Sequence, residues 1–226
     1  MKTLATGLVL IGVLGAQASA QAVVATFDDL TSPPGVAAAN GLFFANGNSS
    51  VYAGVTWDTR FRVVGDEFRV DSPTPVPLYG IPHSGHYFVT NEGDGDANNG
   101  LSITTSMVLK GAWFGRNEYY GFGAGADQVT ITALNGSIVP VSRSFNLPSG
   151  TAGQPQPLTF FDTSSAFSGL AGITGYRIDR REIGTQAGNW VADDFIFAAS
   201  VPEPQTYALL LAGLGVIGWA RRRRTR

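Results

Sequence analysis

The chain has 226 residues and no cysteine, and it is 44% hydrophobic but only 14% charged, with 29 glycines. Missing cysteine excludes disulfides, Cys-ligated zinc, iron–sulfur clusters and a cysteine nucleophile. The net charge of −2 hides an acidic body, because Lys2 and five arginines lie outside it: between Ala22 and Ser200 nine basic side chains face sixteen acidic ones, or −7, which excludes nucleic acid as a partner.

The first element is an address. Met1 and Lys2 give a positive start, Leu4 to Gly15 an apolar run, and Ala18-Ser19-Ala20 the small-residue pattern that signal peptidase cuts after, so cleavage is expected between Ala20 and Gln21. Residues 1–20 then read as a signal helix, 21–200 as one domain and 201–226 as a tail. About 180 residues suit a single core.

From Ala22 onward period two dominates. Expected strands run over Ala22–Phe27, Val51–Trp57, Phe61–Val64, His86–Thr90, Leu101–Thr104, Met107–Phe114, Val129–Ala133, Ser137–Val141, Leu158–Phe161, Ile173–Asp179 and Trp190–Ala198. Turn chemistry separates them at Ser32-Pro33-Pro34-Gly35, Asn46-Gly47-Asn48, Asn135-Gly136 and Pro148-Ser149-Gly150. Stiff loops are expected at Pro73–Pro77 and Gly150–Pro157, and one turn of helix within Ser164–Leu170. The predicted fold is all-β, a two-sheet antiparallel sandwich of jelly-roll type.

Several polar groups interrupt this pattern. Asp28 with Asp29 and Asp193 with Asp194 lie inside apolar flanks, and in a regular strand only one member of each pair enters the core. Two readings stay open: the four aspartates are solvated or cap turns, or, if the terminal strands are adjacent, they hold a structural calcium ion between them. His83 and His86 sit with Pro82 and Gly85 in a loop, without the H-E-x-x-H of a zinc protease. Residues 91–100 form a polar, glycine-rich connection whose spacing does not fit an EF-hand. No G-x-S-x-G is present, and neither histidine has a recognisable catalytic neighbour in the sequence. Trp113, Arg116, Asn117, Tyr119 and Tyr120 combine flat rings with groups that bind hydroxyls, a pattern suited to sugars, with Phe122 and Trp190 as further candidate rings. The alternative for these aromatics is the core.

At the end of the chain Val201-Pro202-Glu203-Pro204 precedes an apolar stretch, Tyr207–Ala220, and then Arg221, Arg222, Arg223 and Arg224. Fourteen helical residues reach only about 21 Å against a hydrocarbon layer of ~30 Å. Snorkelling arginines make up the difference and hold that end in the cytoplasm, so a transmembrane helix is expected over 207–220. The prolines block helix continuation upstream and leave an extended site a protease can reach.

This order of breaker, apolar helix and arginine block resembles the PEP-CTERM sorting signal, with Pro202-Glu203-Pro204 as the naming motif. The resemblance implies a Gram-negative bacterium that makes exopolysaccharide, an exosortase as processing partner, and Glu203 as a recognition residue. An uncut tail anchor is the alternative. The layout from Asp28-Asp29 to Asp193-Asp194 is similar to jelly-roll carbohydrate-binding modules, in which the first and last strands often hold calcium. The functional expectation is a non-enzymatic exported protein, held transiently at the inner membrane and then at the cell surface or in the biofilm matrix, with weak exopolysaccharide binding. A secreted glycan-active or other hydrolase, and a purely structural matrix protein, are the alternatives.

Overall fold

The computed structural model describes residues 22–30, 42–43, 51–66, 80–91, 100–117, 125–136, 139–148, 157–181, 188–199, 210–215, 217 and 221–222. The described strands are β1 (Ala22–Ala25), β2 (Leu42–Phe43), β3 (Val51–Tyr52), β4 (Val55–Trp57), β5 (Arg62–Gly65), β6 (Tyr87–Thr90), β7 (Leu101–Thr104), β8 (Val108–Arg116), β9 (Gln128–Leu134), β10 (Val141–Asn146), β11 (Thr159–Asp162), β12 (Gly175–Arg180) and β13 (Trp190–Ala198), with one helical turn, α1 (Ser164–Phe167). They form two antiparallel sheets. One has the order β11-β8-β13-β6-β5-β2, with β1 also on β13; the other has the order β10-β9-β12-β7-β4-β3.

The core between the sheets is built largely from rings. Trp57 packs edge-on against Phe27, Phe61, Phe195 and Phe197, while Phe114 meets Trp190, Phe195 and Phe161. Period two explains the division of faces. On β9 and β10, Val129, Ile131, Val141 and Phe145 turn inward, and the alternate residues form an outer ladder of polar pairs: Gln128–Asn146, Thr130–Ser144 and Thr132–Ser142.

Two expected strands move. The run Val51–Trp57 is not one strand, because Ala53 and Gly54 both take positive φ (+52° and +71°) and turn it into the β3–β4 hairpin. Alternation of Val51, Ala53, Val55 and Trp57 imitated a single face, and alanine is an unusual first residue for such a turn. The strand expected over Ser137–Val141 begins only at Val141 and runs to Asn146. Pro140 has no N–H to contribute to a ladder, and the polar outer residues of β10 concealed its alternation. The expected turns at 32–35 and 46–48 and the loop at 73–77 lie outside the described residues, as do the signal segment and residues 92–99.

Candidate functional site

β13 organises the candidate site, because β8, β6 and β1 all pair with it. One edge of β13 pairs with β8 along its length. On the other edge two short strands lie end to end: β6 opposite Val191 and Ala192, and β1 opposite Phe195 to Ala198. Asp193 and Asp194 fall at the joint between them. Here β13 bulges, with a register shift against β8 between Asp193 and Ile196 and a left-handed backbone at Asp194 (φ +47°).

The bulge corrects the expectation that one aspartate of the pair enters the protein and the other is exposed. Both are buried, Asp193 at 0% and Asp194 at 7% exposure, since the extra residue breaks the alternation of faces. Each carboxylate is satisfied by the segment 83–87, which crosses the joint. Asp193 accepts hydrogen bonds from the backbone N–H groups of His83 (2.9 Å) and Ser84 (3.0 Å), and from that of Asp194 (2.8 Å). Asp194 accepts one from the Ser84 hydroxyl at 2.9 Å and lies 2.5 Å from His83 Nδ1. From β1's side, Asp28 accepts the N–H groups of His86 (2.7 Å) and Tyr87 (3.0 Å). Asp29 accepts the Tyr52 hydroxyl at 2.5 Å, and that hydroxyl accepts the N–H of Phe27.

Burial pushes Asp193 up to about 7, with the neighbouring Asp194 charge adding to the effect and its backbone N–H donors opposing it. Burial, helped by Asp29, lifts Tyr52 to about 12. The joint is also strained: Phe27 (φ +65°), Ala53 (φ +52°) and Asp194 are non-glycine residues in the left-handed region, and the Phe27 ring touches Tyr52 and Phe195, which adjoin the other two. Gly85 (φ +52°) is required, because a Cβ there would lie 2.0–2.2 Å from the Asp28 carboxylate.

The surroundings of His83 are what the sequence did not disclose. Its ring stacks on the Trp113 indole at 3.5 Å and 12°, and its Nδ1 faces a buried carboxylate 111 residues away. Such a pairing fixes the orientation of the imidazole. His86 faces Asp66 instead, at 3.3 Å, so the two histidines do not converge. Among the described residues no group of three or more His, Asp or Glu side chains is placed to hold a metal ion.

The sugar-binding candidates are not brought together as one patch. Trp113 is half-buried on the outer face of its sheet between His83 and Phe160, in the row Phe160–Trp113–Asp193. Arg116, three residues on, leaves the strand on the other side and donates to the Leu147 carbonyl. Asn117 is buried and donates to Thr90. Trp190, a further candidate ring for which the core was the alternative, belongs to the core at 1% exposure. Tyr119, Tyr120 and Phe122 lie outside the described residues.

Val201 to Pro204 and Arg223 and Arg224 also lie outside them, whereas 210–215, 217, 221 and 222 are helical and exposed. No helix among the described residues is long and apolar enough to cross a membrane. Comparison with curated proteins finds no match. Residues 200–224, which begin two residues after the last residue of β13, match the family described as the PEP-CTERM protein-sorting motif, so this chain carries that motif, which implies export, a membrane-anchored C-terminal region and processing by an exosortase.

Proposed function

We propose that the mature domain is a non-enzymatic module of the cell surface or extracellular matrix, delivered through the inner membrane and retained by weak binding to exopolysaccharide. The observation that carries this reading is the sorting motif at 200–224 directly downstream of a two-sheet β-sandwich. Two surfaces support the binding part. Phe160 is an exposed ring beside half-buried Trp113, and the β9–β10 ladder offers rows of hydroxyl and amide groups of the kind that meet sugar hydroxyls.

A second reading, a hydrolase on the same sandwich, is favoured by one observation, the His83–Asp194 pair with its oriented imidazole. The processed protein recovered from culture separates the readings when applied to a glycan array beside a hydrolysis screen. Binding without turnover is expected. Turnover that His83→Ala abolishes would replace the first reading with the second, and silence in both assays would leave a purely structural matrix protein.

A further inference from the structure

Both ends of the domain leave it at one pole. Ala22 pairs with Ala198, and Ala198 pairs on its other side with Val108. In the second sheet Thr104, just before the turn that leads into β8, pairs with Gly175, and Gly175 pairs with Leu134. The same pole therefore holds the turn 105–107, Leu134 and Val141, and the segment around α1, whose Thr163 hydroxyl donates to the Leu109 carbonyl. Arg116, Asn117, Gln128, Asn146, Arg180 and Trp190 lie at the opposite pole.

Chain length ties the first pole to the bilayer. Nine residue steps separate Ala198 from Tyr207, the start of the apolar run, and fully extended they span at most about 30 Å. The expected signal-peptide cut, before Gln21, lies one residue from Ala22, at the same pole. The near pole exposes apolar side chains, Val139 at 73% and Leu134 at 37%.

We propose that, while the tail is uncut, the domain stands on the membrane on this pole, with Leu134 and Val139 at the lipid headgroups and the pole of Arg116, Asn117 and Trp190 turned outward. This rests on the reading of residues 207–220 as a membrane tether. It implies that the domain folds completely with both ends still beside the bilayer, and that the surface presented to other molecules is the far pole with the flanks of the sheets.

The absence of native cysteine makes the orientation directly measurable. Val139→Cys, Asn146→Cys and Leu214→Cys, each in the full chain, are labelled with a fluorophore and reconstituted in phosphatidylethanolamine–phosphatidylglycerol vesicles carrying nitroxide on the acyl chains or on the headgroups. Acyl-chain nitroxide is expected to quench the label at 214. Headgroup nitroxide is expected to remove most of the emission at 139 and to leave that at 146 unchanged. Unquenched emission at 214 would overturn the tether and the orientation together. Quenching at 214 with equal or reversed effects at 139 and 146 would overturn the orientation alone.

Discussion

Replacing Gly85 with alanine tests whether the joint on β13 holds the domain closed. The new Cβ would lie about 2 Å from every atom of the Asp28 carboxyl group, which must then swing away and release the N–H groups of His86 and Tyr87. Left-handed backbone at a non-glycine residue costs about 1–2 kcal/mol. The two lost hydrogen bonds are exposed and add about 1 kcal/mol each. Gly85→Ala should therefore destabilise by about 3–4 kcal/mol, and Asp28→Ala, which loses the bonds without the strain, by about 2 kcal/mol. Because Gly85→Ala already breaks what Asp28 makes, the double variant should cost no more than Gly85→Ala alone, a coupling of about 2 kcal/mol. Urea unfolding of the four proteins of this cycle, followed by tryptophan fluorescence at constant m-value, measures each quantity. Additive losses, or a loss below about 1 kcal/mol for Gly85→Ala, would refute the account of the joint.

Three further outcomes follow from the same geometry. Asp193 is lifted to about 7, so protonation favours the folded state: this contribution is fully present below the unfolded carboxyl value near 4 and is lost as pH rises through 7. Asp193→Asn should flatten that fall, which amounts to at most about 4 kcal/mol, in unfolding measured from pH 4 to 8; an unchanged slope would assign it elsewhere. His83→Ala removes the ring stacked on Trp113 and should increase acrylamide quenching of tryptophan emission, at a stability cost of about 1–2 kcal/mol; unaltered quenching would contradict the stacked arrangement. The carboxylate oxygens of Asp193 and Asp194 already accept hydrogen bonds, so millimolar calcium is expected to leave the Tm unmoved, and a rise of several degrees would place a cation at the joint.

Much of the sandwich was legible from alternation alone. Leu101–Thr104 and Trp190–Ala198 coincide with β7 and β13, and most other strands shift by one or two residues. Legibility failed where local chemistry was atypical, at the Ala53-Gly54 turn and in β10, whose polar residues face outward beside a proline. The candidate site was harder to read. Asp28, Asp29, Asp193 and Asp194 stood out as acids in apolar flanks, but their partners did not, because His83 and Ser84 are more than a hundred residues from β13.

Local properties of the chain determined the sorting motif and the fold class: a Pro-Glu-Pro followed by an apolar run and arginines, and period two with turn residues between. Each is read over a few neighbouring residues, so no long-range contact is needed to recognise it. Tertiary structure decided where β1 and β6 abut along β13, that the bulge there buries two consecutive aspartates, and that His83 meets Asp194 over Trp113. Pairing of distant strands sets those positions, and a one-residue bulge reverses which face a side chain takes, a choice that no spacing along the chain encodes.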